Sequence, residues 1–359
     1  MNIIIYEDNK VNQFKPFTIN HATFELQSGI MTNLDRIKHW YSNESNSIVL
    51  LVRPEIEQLI KLRYPDLIVN PKSIPKGKYI NGRFILNRKF DLDVFPDSPS
   101  DDDILIPDLI RPHYIWDFPS MSKKQIYYDW NALGLIDKSS NGCLIANDAN
   151  IKEGAILDTS NGGPIIIDKN VIVDIGALLQ GPIYIGDNSY IAPGSKIRPG
   201  TIIGKNCKIG GEVSNSIFYA NSNKVHDGFI GDSFIGEWVN IGAGTNNSNL
   251  KNNYSNINFS FNGKDSIDTK LQFLGSIIGD YTRIGISTML NTGTYIGLGA
   301  NVFGPGFQNK HISSFSWGSN EVKTDFKKFI STCEKMYVRR SQQLSEVEIN
   351  FLSFLYNQK

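Results

Sequence analysis

From Ile167 onward an aliphatic residue recurs at every sixth position: Ile167, Val173, Leu179, Ile185, Ile191, Ile197, Ile203 and Ile209. Gly follows directly at 186, 204 and 210, and small or polar residues fill much of the rest of each hexad. The same spacing is present earlier at Ile145, Ile151 and Leu157, and later at Ile278, Ile284, Leu290, Ile296 and Val302. Between them, Ile230, Ile235 and Ile241 carry a single five-residue step. An amphipathic helix needs apolar residues three or four apart and a half-buried strand needs alternation, so neither local period fits. A period of six with one inward aliphatic residue is the sequence form of a hexapeptide parallel β-helix. Each hexad makes one short flat face, its aliphatic side chain fills the prism, and Gly or Asn serves the corners that need positive φ. A glycine-rich linker has no reason to hold such a register.

The repeat explains a skew in composition. Of the 31 glycines, 26 lie between Asn141 and Gly306, whereas 10 of the 15 prolines precede Met121. The chain is therefore expected to divide into an α/β domain over 1–120, a connecting helix or linker over 121–140, a left-handed β-helix over 141–306 and a helical extension over 307–359. In the first part, N-I-I-I-Y and S-I-V-L-L-V read as buried strands. F-E-L-Q-S-G-I-M-T-N-L-D-R-I-K-H-W reads as a helix, with another around Pro54 to Tyr64. This alternation favours a small, partly parallel sheet. D-S-P-S-D-D-D at 97–103 reads as a surface loop. The segment from Ile115 to Leu133 reads as the connecting helix, with Ser120 or Ser122 as its cap. Near the end, Phe326, Phe329, Ile330, Cys333, Met336 and Tyr337 have helical spacing. A second helical run follows the S-E-V-E capping pattern at 345. Such helices cover the open end or an outer face of a solenoid.

Composition excludes other classes. Thirty-six basic residues balance 36 acidic ones, which argues against a polybasic nucleic-acid or membrane-surface binder. Cys143, Cys207 and Cys333 are too few and too scattered for a disulfide framework or a zinc ribbon. The opening M-N-I-I-I-Y-E-D lacks the form of a signal peptide, and no run approaches the roughly 20 apolar residues of a membrane helix. A cytoplasmic setting is expected.

Residues 224–249, K-V-H-D-G-F-I-G-D-S-F-I-G-E-W-V-N-I-G-A-G-T-N-N-S-N, resemble the acetyltransferase half of the bifunctional UDP-N-acetylglucosamine pyrophosphorylase/glucosamine-1-phosphate N-acetyltransferases. I-R-P-G at 197–200 is similar to that family's Arg-Pro-Gly corner. F-E-L-Q-S-G-I-M-T, Y-I-N-G-R-F-I-L-N at 79–87 and N-V-F-G-P-G-F resemble a divergent bacterial branch with a shortened N-terminal domain. The resemblance implies a homotrimeric, coenzyme A dependent N-acetyltransferase with acetyl-CoA as co-substrate. Its acceptor would be an amino-sugar phosphate or nucleotide sugar, in amino-sugar nucleotide biosynthesis for the cell envelope. It implies His226 as general base, and histidine suits that task because its ordinary pKa near 6.5 leaves it largely neutral at pH 7. It further implies Arg198, Lys224, Asn240 and Lys251 at the substrate, and Ala243, Asn249 and Leu250 at coenzyme A. A guanidinium such as that of Arg198 can grip phosphate with two charge-assisted bonds.

The chain departs from the family in places. Phe229 stands where a substrate-binding Tyr is expected, and counting to the family's phosphate-binding Lys lands near Ser216, with Lys224 close by. The loop from Asn246 to Phe273 is longer than the family's. The N-terminal domain lacks the Gly-rich nucleotide loop, and His21-Ala22 replaces an Arg-Pro pair. Nucleotidyl transfer by residues 1–120, with Mg2+, is thus an alternative, and a noncatalytic trimeric scaffold that binds a sugar nucleotide is another. A β-helical carbonic anhydrase would need several His ligands per zinc, and His226 is the sole His in the β-helical stretch, so no metal site is expected.

Overall fold

The computed structural model describes residues 1–43, 47–100, 106–318 and 320–358. The chain begins with a four-stranded parallel sheet in the order Ile68–Val69, Ser47–Leu51, Asn2–Tyr6, Gly77–Asn81. Ile3, Ile4 and Ile5 of the central strand are wholly buried, as a parallel strand covered on both faces requires. Helices α1 (Asn33–Tyr41) and α2 (Glu57–Arg63) pack against it. Helix α1 starts at a capping box in which Thr32 Oγ1 accepts from the Asp35 amide.

The expected helix from Phe24 is thus nine residues late. Phe24 to Thr32 instead makes a short 3-10 turn (Thr23–Glu25) and a two-stranded hairpin, Gln27–Ser28 with Met31–Thr32, around Gly29 at φ 66°. The cause lies elsewhere in the chain: buried Asp129 accepts from the Ile30 amide and forms an ion pair with Arg36, which also donates to the Ser28 carbonyl. The long connecting helix α3 spans Asp117–Ala132. Its cap is neither Ser120 nor Ser122. Both hydroxyls donate back to helix carbonyls, of Asp117 and Phe118, and Asp117 holds the first turn by accepting from the His113 and Tyr114 amides. Of the expected 97–103 loop, residues 97–100 carry no helix or strand, and 101–103 lie outside the described residues.

From Cys143 the chain winds into a three-faced parallel solenoid. The first face has nine strands, from Cys143–Ile145 to His311–Ile312. The second runs from Asn150–Ile151 to Ser316–Trp317, and the third from Ile156–Asp158 to Phe229–Gly231, continued by the pair Asn246–Asn247 and Met289–Leu290, with residues 250–275 inserted in the chain between these two. The hexad residues stack inward in register: Val173 on Ile191 on Ile209 along the second face, Leu179 on Ile197 on Val213 along the third. Parallel pairing continues past Gly306, with Ile296 opposite Ile312 and Asn301 opposite Trp317, so the solenoid has one more coil than the hexad register showed.

The three faces are not equally covered. The outward residues of the first, including Ile166, Ile202, Ile217, Phe234 and Ile277, are buried too, under α3, the N-terminal domain and the 250–275 insertion with its hairpin Asn258–Phe259/Ile267–Asp268. Helix α4 (Phe326–Val338) packs Phe329, Cys333 and Tyr337 on the edge between the first and second faces. Three corner residues there, Trp238, Tyr281 and Phe315, take left-handed backbone near φ 60°. That conformation costs a side-chain-bearing residue about 1–2 kcal/mol, and the aromatic packing, with Trp238 stacked 4.2 Å from Tyr337, offsets it. Helix α5 (Glu346–Asn357), started by the Ser345/Glu348 capping box, packs Phe351 against the N-terminal core. The third face and the edge it shares with the second remain open.

Candidate functional site

His226 lies on that open edge, in the turn between the strands Asn223–Lys224 and Phe229–Gly231, and its side chain is exposed. The turn sits flush between neighbouring coils. A Cβ on Gly210 would run into the Val225 carbonyl oxygen, and one on Gly211 would come within 2.7 Å of the Gly228 carbonyl oxygen. On the other side Gly244 donates to the Asp227 carbonyl at 2.9 Å. The G-G pair at 210–211 is therefore a floor against which the His226 turn rests, because only residues without a Cβ allow backbones that close.

Lys224 corrects an expectation. It occupies the inward position of its hexad, opposite Ile209 below, and is 1 % exposed. Its ammonium ends inside the solenoid and donates to the His226 carbonyl oxygen at 2.5 Å. Burial pulls its pKa down to about 8, against the opposing pull of Asp227. A phosphate at the surface cannot reach it. Its place six residues before Ile230 puts it in the hexad register, which is why it faces inward and not toward substrate.

The remaining residues are spread over the two edges of the third face, the adjoining second face and the 250–275 loop. Ala243 lies one coil beyond His226 on the same edge, where its carbonyl accepts from Ser287. Asn240 is exposed on the adjoining second face, paired with Asn223, whose side chain accepts from Arg340 at 3.0 Å. Arg198 stands on the opposite edge of the third face, more than half exposed and ion-paired to Glu212 at 2.9 Å. Asn249 is on that far edge as well, donating to Asp232 at 2.6 Å, with Leu250 bridged to Phe273 beside it. Lys251 turns into its own loop, donating to the Asn256 carbonyl and to Ser255. Between the edges, the Phe229 ring lies against Gly231, leaving no hydroxyl on that stretch of the face. A shallow cavity of about 360 Å³ opens on the same face, lined by Ile156, Leu178, Lys196, Arg198 and Glu212.

Two further polar regions lie in and around the N-terminal domain. At the carboxyl end of its sheet, Glu7 pairs with Arg53 at 2.6 Å, and buried Asp8 pairs with Arg83 and Asn81, each at 2.7 Å. Both carboxylates are committed, an arrangement that does not fit a magnesium ion, so no step runs through one. A cavity of about 380 Å³ adjoins this end, lined by Lys15, Thr18 and Arg53 and by Phe261, Tyr295 and Phe351. At the junction with the solenoid, His21, Glu25 and Arg63 meet Asp280 and Glu237. His21, Glu237 and Asp280 are close enough to share a metal, but Asp280 already accepts from His21, Asn20 and the Glu237 amide. Arg63 also stands 3.1 Å from the other His21 nitrogen, so the group reads as an ionic joint between domains. In the sequence His21 stands out only as a departure from the family, because Asp280, which completes the joint, lies 259 residues away.

Known proteins share both parts of the chain. A sugar nucleotidyl transferase family model matches residues 3–95, and a bacterial transferase hexapeptide model of six repeats matches 164–199. A bifunctional sugar-1-phosphate nucleotidylyltransferase/acetyltransferase of Sulfurisphaera tokodaii is 35% identical over 42% of this chain and 38% of its own length. The bifunctional protein GlmU of Thermodesulfovibrio yellowstonii is 26% identical over 73% of this chain and 58% of its own. The chain thus spans less than two thirds of the length of either relative. Among solved structures, the acetyltransferase domain of PglB from Neisseria gonorrhoeae, in complex with acetyl coenzyme A, aligns with 88% of this chain and 97% of its own, at 10% identity and a TM-score of 0.18.

Proposed function

We propose, for a chain that is a divergent relative of the bifunctional sugar-1-phosphate nucleotidylyltransferase/acetyltransferases with a shortened N-terminal domain, that it is a coenzyme A dependent N-acetyltransferase. It acts in the cytoplasm on an amino-sugar phosphate or nucleotide sugar. The observation that carries this reading is the His226 turn: an exposed imidazole on a glycine floor, beside the small Ala243-Gly244 corner, on an open edge of a hexapeptide solenoid. Acetyl-CoA supplies an activated acyl carbonyl, and the bare backbone of Ala243-Gly244 is where its pantetheine arm would lie. A ring nitrogen of His226 takes the proton that the acceptor amine must lose. Arg198, on the far edge of the third face, is the cation suited to a phosphate, and Asn240 to a sugar hydroxyl.

The distribution of exposed apolar side chains supports a homotrimer. Ile175, Ile286 and Phe303 share the His226 edge, and Leu178 and Met289 project from the third face. They form two apolar groups, one in an early coil and one in the last two coils, and exposed apolar surface of this kind suits contact with a neighbouring copy. In a trimer the far edge of a neighbouring copy would bring an Arg198 and an Asn249 toward His226. Replacing His226 by Ala should lower thiol release from acetyl-CoA, with an amino-sugar phosphate as acceptor, by roughly a hundredfold or more. An unchanged rate refutes the assignment.

A second reading, nucleotidyl transfer from a sugar 1-phosphate, is favoured by the family match over 3–95 and by the Lys15/Arg53 cavity at the carboxyl end of the sheet. Pyrophosphate release from a nucleoside triphosphate and a sugar 1-phosphate tests it.

A further inference from the structure

Along the inward ladders of the described coils the hexad positions are apolar, with Phe218 among the aliphatic residues, except at Lys224 and Asn247, in neighbouring coils, and at Gln308 in the last. Asn247 is satisfied as an interior amide should be, bonding the Gly231 backbone and Ser233. Lys224 is different: a cation occupies a slot that holds Ile191 and Ile209 in the coils before it and Ile241 in the coil after. A charged group in such an interior is unfavourable unless it makes bonds that nothing else there could make. Its ammonium has one such bond, to the carbonyl oxygen of His226. The space it needs is provided by Gly211, where a Cβ would lie 2.8 Å from the lysine nitrogen. Lys224, Gly211 and the His226 turn therefore form one unit, in which the chain reaches through its own core to hold a backbone carbonyl from beneath.

We infer that Lys224 is a positioning residue for His226. By drawing the His226 carbonyl inward it fixes the backbone of the turn and so aims the imidazole outward, over the open edge. This rests on the reading of His226 as the base, and it adds that the base is held from inside the solenoid by a lysine that never meets substrate. A methionine of similar length would fill the slot without the charge, and replacing a buried ion by an apolar residue of similar volume is commonly neutral or stabilising. The positioning role thus separates from a packing role.

The test compares Lys224→Met with His226→Ala and the unaltered full-length chain, reading thermal midpoint, amide hydrogen exchange and thiol release from acetyl-CoA with an amino-sugar phosphate. Two amides report on the turn: Gly244, which donates to Asp227, and Glu212, which donates to Gly228. Lys208 and Gly242, bonded to Ser222 and Ile284 on the same coils, serve as controls. In Lys224→Met the midpoint should hold or rise, and Gly244 and Glu212 should exchange at least tenfold faster while the controls do not change. Turnover should fall at least tenfold with KM for acetyl-CoA unaltered. Unaltered exchange at Gly244 and Glu212, or faster exchange at all four amides with a lowered midpoint, overturns the inference. Should His226→Ala leave turnover intact, the base reading fails alone, and the exchange measurements still decide whether Lys224 holds the turn.

Discussion

The ionic joint between the N-terminal domain and the solenoid makes stability depend on pH through His21. This imidazole is buried, 2.8 Å from Asp280 and 3.5 Å from Glu25. Burial and the nearby Arg63 disfavour its charge, but the carboxylates of Asp280 and Glu25 prevail and lift its pKa from the ordinary 6.5 to about 9. A group that binds its proton more tightly when folded stabilises the fold fully below pH 6.5, and that contribution is lost as the pH rises through 9. At 1.36 kcal/mol for each pH unit of displacement, it amounts to roughly 3 kcal/mol. His21→Gln keeps a donor for Asp280 without the titration. Urea unfolding followed by tryptophan fluorescence should show the wild-type midpoint falling between about pH 6 and pH 9.5, and a flatter profile for the variant. Glu237, whose carboxyl is raised by burial despite His21 and Arg63, faces the same cluster, and Glu237→Gln separates its share. Parallel profiles for wild type and His21→Gln would refute the reasoning, since the charge on His21 would then be the same folded and unfolded.

Other outcomes follow from the same geometry. Asp129→Ala leaves the wholly buried Arg36 without its counter-ion and frees the Ile30 amide, so it should lower unfolding stability by about 3–5 kcal/mol, read from the urea midpoint. Arg198→Ala removes an exposed ion pair, so stability should change by no more than about 0.5 kcal/mol. The same substitution should raise KM for the sugar phosphate about tenfold, the order of one lost charge-assisted hydrogen bond, and an unaltered KM would remove Arg198 from the substrate site.

The sequence by itself determined the parts of this protein whose cause is local. A register of six places Ile167, Val173 and Leu179 on three faces whatever the rest of the chain does, since each coil needs only the next to bury it. The Ser345/Glu348 cap is likewise complete within four residues, and the buried Ile3–Ile5 strand within three. Tertiary structure decided wherever a polar group had to find a partner far along the chain. Gln27 to Thr32 became a hairpin because Asp129, about a hundred residues on, claims Ile30 and Arg36. Trp238, Tyr281 and Phe315 could take left-handed corners because α4 covers them. Lys224 stands six residues before Ile230, in the aliphatic slot of the hexad, so the register points it inward although its charge alone would place it at the surface. Stacked on Ile209, it became an interior strut because the carbonyl of His226 was the acceptor within its reach.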